Sequence, residues 1–160
     1  MKTLIVGLGS VGRRHLRNLQ ALGERELLLL RSHRATLPED DLAGLPVAAS
    51  VEAALDFRPD AAVIATPTAL HLEAARPLAR AGCHLLLEKP VSHTLAGVPE
   101  LQAAGAQSGA RILVGFQYRF HPALRQVKHW LEAGAIGETL AVRGQYAEYL
   151  PGWHPWEDHR

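Results

Sequence analysis

Leu4-Ile5-Val6-Gly7-Leu8-Gly9-Ser10-Val11-Gly12-Arg13-Arg14-His15 opens the chain, and its reading decides the fold. An apolar run of strand length leads into Gly-x-Gly-x-x-Gly, and Leu16, Leu19 and Leu22 then recur at helical spacing before Gly23. The order is strand, tight turn, helix. Gly7 lets the turn leave the strand, Gly9 lets main-chain N–H groups approach a pyrophosphate, and Gly12 lets the helix lie close on the sheet. Leu8, Ser10 and Val11 fill the positions between, so all of residues 7–12 are candidate contacts. Phosphates would rest on the open N–H groups at the helix start, where the dipole favours an anion by roughly 0.3–1 kcal/mol. A dinucleotide site is therefore expected here.

A chain of 160 residues, 48% of them apolar, can fill one domain core, or one domain and a piece of another. The formal net charge of +1 offers no general attraction to nucleic acid or an anionic membrane. Arg13 and Arg14 alone do not make a DNA-reading face. The single cysteine, Cys83, excludes an internal disulfide and fits a reducing compartment; it reads as a small buried residue at the start of a strand. No apolar run approaches the ~18–20 residues of a membrane span, and the chain opens on a strand instead of a signal pattern. A cytoplasmic protein is expected. The histidines are scattered, without paired cysteine or a second ligand at i+4, so no metal site is expected.

Glu26 to Leu30 reads as a second strand, followed by Arg31-Ser32-His33-Arg34. In a doubly wound sheet this position lies beside the adenosine ribose, where an acid would bind the 2′-hydroxyl of NAD. No acid stands there. Arg31, Ser32 and Arg34 instead offer donors suited to a 2′-phosphate, so NADP(H) is expected ahead of NAD(H), with a solvated loop as the alternative.

Pro38-Glu39-Asp40-Asp41 opens a polar loop or short helix, Pro46-Val47-Ala48 reads as a short strand, and Ser50 as the N-cap of a helix carrying Val51, Ala54 and Leu55. Ala61 to Ala65 is apolar throughout, as in a strand covered on both faces, and Cys83-His84-Leu85-Leu86-Leu87 reads as another buried strand. Between them lies a helix with Leu72, Ala75, Leu78 and Ala79 on one side. Thr66-Pro67-Thr68-Ala69-Leu70-His71 and Glu88-Lys89-Pro90 follow the two strands. Ligands of open α/β sheets bind at such carboxyl ends. Lys89, directly at a strand end and before a proline, is placed to hydrogen-bond a ribose or substrate oxygen and to stabilise developing negative charge.

A further helix is expected from about Thr94 to Gln107, with Pro99 either near its first turn or kinking it, then a strand from Arg111 to Gly115. Pro122 starts a helical pattern in Leu124, Val127, Trp130 and Leu131, and Leu140 to Leu150 alternates as one more strand. No internal repeat or low-complexity tract is present.

Four separated motifs now stand together: Gly7-x-Gly9-x-x-Gly12, Thr66-Pro67-Thr68-x-x-His71, Glu88-Lys89-Pro90 and Gly115-Phe116-Gln117-Tyr118-Arg119-Phe120-His121-Pro122. In order and spacing they resemble the Gfo/Idh/MocA family of oxidoreductases. The resemblance implies an α/β fold with a Rossmann-type doubly wound parallel sheet, here residues 1–121. It also implies that residues 122–160 begin a C-terminal α/β domain that binds substrate and mediates homo-oligomerisation. It implies NAD(P)-dependent hydride transfer to or from a hydroxyl carbon of a sugar, inositol or similar polyol. Carried over by position, Gly7, Gly9 and Gly12 would bind the pyrophosphate, and Thr66, Pro67, Thr68 and His71 would line the cofactor. Glu88 and Lys89 would sit near the nicotinamide ribose, with Lys89 as the catalytic contact to substrate. Gln117, where the family often has Asn, and Arg119 would lie at the nicotinamide end.

The family's proton-transfer histidine follows a glycine-rich, aspartate-containing stretch that this sequence lacks, and neither His154 nor His159 sits in such a motif. A truncated member is expected, able to bind cofactor but poorly active alone. The competing reading is a non-catalytic NADP(H)-binding sensor or assembly module.

Overall fold

Leucine, isoleucine, valine and alanine dominate four short runs, of which the first two are fully buried and the last, His84–Leu87, alternates between buried and more exposed residues. In the computed structural model, which describes residues 1–31, 42, 44–147 and 149, these runs are β1 (Thr3–Val6), β2 (Leu27–Leu30), β4 (Ala61–Ile64) and β5 (His84–Leu87). With β3 (Val47–Ala48) and β6 (Ile112–Val114) at the edges they form one sheet in the order β3-β2-β1-β4-β5-β6. Every pairing is parallel. The chain works outward from β1 in one direction, then returns past it to build the other half. That reversal opens a crevice between the carboxyl ends of β1 and β4, the place where doubly wound sheets bind nucleotides.

Parallel neighbours need crossovers, and four helices supply all but the one from β2 to β3, most of which lies outside the described residues. The helices are α1 (Ser10–Ala21), α2 (Val51–Asp56), α3 (His71–Arg80) and α4 (Val98–Ser108). Alternation along the strands separates two cores. Leu4, Val6, Leu28, Leu30, Ala62, Ile64, Leu85 and Leu87 face one side, against α3 and α4, with Ala54 of α2. Ile5, Leu27 and Leu29 face the other, against Leu16 of α1 and Leu42. Cys83 is 1% exposed within the larger core, and burial, then the nearby Asp60 carboxylate, pushes its thiol up to about 12. It is a core residue.

The helix ends follow local chemistry. Ser50 caps α2 by accepting from the Ala53 N–H at 3.2 Å. Pro99 falls in the first turn of α4, where its missing N–H costs no hydrogen bond. That helix starts at Val98, four residues later than its composition implies, because the chain bends at residues 93–95 and turns at 96–97, with Gly97 at φ +81°. Leu22, at helical spacing from Leu16 and Leu19, is 80% exposed: α1 ends at Ala21, Leu22 is its C-cap with an N–H that still donates to the Asn18 carbonyl, and Gly23 follows at φ +88°. The second strand begins at Leu27, one residue after Glu26. The segment Pro38–Asp41 lies outside the described residues.

The chain divides into two compact units, Met1–Phe116 and Gln117–Arg160, five residues ahead of the boundary expected from sequence. The second contains a short 3-10 turn (Gln117–Phe120) and α5 (Pro122–Glu132). The strand expected over Leu140–Leu150 does not form in the described part, residues 140–147 and 149. Leu140, Val142 and Tyr146 are exposed there. Alternation yields a strand only where a neighbour completes the ladder, and among the described residues none pairs with this stretch.

Candidate dinucleotide site

The turn between β1 and α1 is shaped by what its glycines allow. Gly7 lies at φ +88°, and a Cβ there would come within 2.7 Å of the Thr66 nitrogen and 2.8 Å of the Ala65 oxygen, so the turn touches the end of β4. A Cβ on Gly12 would collide with the Gly7 carbonyl. Gly9 differs: a Cβ there would meet nothing within 4 Å. It is the residue that faces open space.

Gly9 is also the N-cap of α1, with no side chain capping the helix and no acidic residue in the first turn. The helical ladder begins where the Arg13 N–H donates to the Gly9 carbonyl at 3.0 Å, so the N–H groups of Ser10, Val11 and Gly12 precede it. This start suits an anion. Arg13, 6% exposed, folds back beneath the turn, its Nε donating to the Leu8 carbonyl at 3.0 Å.

Across the crevice, Thr66, Pro67 and Thr68 leave the end of β4 and lead through a 3-10 turn (Thr68–Leu70) into α3. His71 is 1% exposed, with Nδ1 3.0 Å from the Pro90 carbonyl and Nε2 2.9 Å from the Thr66 carbonyl. Its ring therefore meets two loops of the protein, and any effect on a bound cofactor passes through them. At the end of β5, Glu88 accepts from His15 Nε2 at 2.8 Å, and a Cβ on Gly115 would lie 3.3 Å from the same carboxylate oxygen. Lys89 is exposed, and the Lys89–Pro90 peptide bond is cis.

The fold thus brings Gly7, Leu8, Gly9, Ser10, Val11, Gly12, Thr66, Pro67, Thr68, Glu88 and Lys89 to the carboxyl ends of β1, β4 and β5. Arg31 directly follows β2 and is half-buried. Ser32 and Arg34 lie outside the described residues. Gln117 and Arg119 are exposed on the 3-10 turn of the second unit. His15 carries no motif signal beyond standing one turn after the last glycine of the turn. A hollow of about 440 Å³ lined by Ala61, His84, Arg111 and Leu113 lies at the amino ends of β4, β5 and β6, the wrong end of the sheet for this chemistry. Among the described residues no group of three or more His, Cys, Asp or Glu could hold a metal ion, and no helix is long and apolar enough to cross a membrane.

Strand order, glycine geometry and an uncapped helix start together define a dinucleotide-binding Rossmann domain. Residues 1–116 match the oxidoreductase family with an NAD-binding Rossmann fold, GFO_IDH_MocA. The chain belongs to that family. It is 29% identical over 143 residues to the inositol 2-dehydrogenase of Rhizobium meliloti, covering 86% of this chain and 42% of that protein. It is 30% identical over 152 residues to "D-xylose 1-dehydrogenase (NADP(+)) 2" of Haloferax volcanii, covering 92% and 46%. Among solved structures it resembles the WlbA dehydrogenase from Bordetella pertussis in complex with NADH and UDP-GlcNAcA, with a TM-score of 0.75, 29% identity, and coverage of 84% and 42%. The chain spans less than half the length of each of these relatives.

Proposed function

We propose that this chain supplies the cofactor half of an NAD(P)-dependent dehydrogenase or reductase acting on a sugar, inositol or similar polyol. The observation that carries the reading is the bare main-chain cradle at Gly9, opposite a strand end that presents Lys89. The N–H groups of Ser10, Val11 and Gly12 hold the pyrophosphate, and Thr66, Pro67 and Thr68 line the crevice beside it. Glu88 and Lys89 lie at the nicotinamide ribose. When bound, the nicotinamide supplies the carbon that accepts or gives the hydride. Lys89 hydrogen-bonds the substrate oxygen and stabilises its developing charge. Arg31 favours NADP(H) over NAD(H) through a 2′-phosphate, and Gln117 and Arg119 serve the nicotinamide end. The unit from Gln117 begins the substrate and oligomerisation domain.

Titration of the purified chain with NADPH and NADH, followed by nucleotide fluorescence, tests the cradle. Saturable binding with NADPH tighter is expected; binding of neither overturns the reading. A polyol panel with the active dehydrogenase tests the chemistry, where Lys89→Ala should lower kcat about a hundredfold or more, a far larger effect than its loss of dinucleotide affinity. Unchanged kcat removes the role given to Lys89.

A further inference from the structure

Lys89 is exposed, yet the residues on both sides of it are tied down. Before it, Glu88 accepts from His15 at 2.8 Å, the two side chains being 20% and 23% exposed. After it, the Pro90 carbonyl stands 3.0 Å from Nδ1 of the buried His71, whose Nε2 is 2.9 Å from the Thr66 carbonyl. Both partners of His71 are acceptors, so the ring donates to one as neutral imidazole and to both as imidazolium.

The two histidines belong to different elements. His15 lies on α1, one turn beyond the glycine-rich turn, and His71 is the first residue of α3, reached directly from the loop that leaves β4. Gly115, at the end of β6, closes a further side of Glu88. With residues 88 and 90 both anchored, the main chain at residue 89 is held, and only the lysine's own torsions are left.

We propose that His15 and His71 are positioning residues for Lys89, suspending it between α1 and the loop that leaves β4. Through Glu88 its place is referred to the helix that starts at the phosphate cradle, and through Pro90 to the end of β4. Occupation of the cradle is then felt at the ammonium group. The inference rests on the NAD(P) reading above, but part of its test does not.

Reductive methylation with carbon-13 formaldehyde labels Lys2, Lys89 and Lys128, the chain's only lysines, together with the N-terminal amine. The NMR signal of Lys89 is assigned with Lys89→Arg. In the unsubstituted chain it should stand apart from that of unstructured dimethyl-lysine and shift on addition of NADPH, while Lys128 stays in place. His15→Ala and His71→Leu should each move it toward the unstructured position and weaken its response to NADPH. His15→Gln and His71→Asn restore an amide donor near the lost ring nitrogen and should recover both. His15→Ala alters a partly exposed site, so it reads the effect even if His71→Leu fails to fold. A Lys89 signal unmoved by His15→Ala, or left unrestored by the amide variants, overturns the proposal. A chain that binds neither NADPH nor NADH overturns the cofactor reading instead, and the ligand-free position of the Lys89 signal still tests the suspension.

Discussion

The carbonyl of Gly7 occupies the place where a Cβ on Gly12 would stand, so the turn and the first turn of α1 exist in this form only without that atom. Gly12→Ala should force them apart, lowering stability by about 1–3 kcal/mol and abolishing dinucleotide binding. Gly9→Ala makes the opposite case, since its φ of −68° is ordinary and no protein atom lies within 4 Å of the added methyl. Its stability should change by no more than about 0.5 kcal/mol, while binding is lost because the methyl enters the phosphate's space. Urea unfolding and NADPH titration of both variants check this. Equal stability losses in the two would contradict the geometry.

Arg31 follows β2 at the position where a doubly wound sheet meets the adenosine ribose. A charge-assisted bond to a 2′-phosphate is worth about 1.5–3 kcal/mol, so Arg31→Ala should weaken NADPH about tenfold or more. NADH affinity should hold. Parallel titrations of the two nucleotides measure the ratio, and an equal fall in both would assign Arg31 to structure and not to selectivity.

Ser50 accepts from the Ala53 N–H, and a hydrogen bond from its hydroxyl helps hold the Glu52 carboxyl below its ordinary value, second to the Glu52 backbone N–H. Ser50→Ala should cost about 1 kcal/mol, a fall in Tm of about 3–5 °C, and Ser50→Asp should keep most of the cap. Because the carboxyl's affinity for protons is lowered in the fold, the contribution of Glu52 is present above its ordinary value of 4.5 and is lost as pH falls through the folded value. Melting curves of both variants at neutral pH and near pH 4 test the cap and its sign.

Cys83 carries the clearest pH signature. Its thiol is raised from 9.0 to about 12, mainly by burial, so the folded chain keeps its proton after the unfolded chain has begun to lose it. Stability from this group is complete below 9.0 and declines as pH rises toward about 12. Urea midpoints should therefore fall more steeply above pH 9.0 in the unsubstituted chain than in Cys83→Ala. Alkylation by iodoacetamide at neutral pH should require prior unfolding. Rapid labelling of the native chain would contradict the burial.

Much of the fold is written in local pattern. Apolar runs of strand length, each ended by a turn residue and followed by a helical repeat, specify parallel strands joined by crossovers, and the three glycines of the first turn mark which strand end would meet a phosphate. Ser50 and Pro99 announce helix starts through hydrogen-bonding chemistry that acts within a few residues. The same locality misled at Leu140–Leu150, where alternation is present but no strand among the described residues pairs with it, and at Leu22, where helical spacing runs past the last residue of the helix.

What the linear order determined by itself was the succession of elements and the main-chain freedom at Gly7, Gly9 and Gly12, because both depend on near neighbours. The meeting of His15 with Glu88, 73 residues apart, and the bridging of Thr66 and Pro90 by His71 were decided only by folding. Contacts of that kind come from packing α1 and α3 against the sheet, and no spacing rule encodes them. The surroundings of Lys89 are therefore a property of the assembled sheet, although the lysine itself stands in plain view in the sequence.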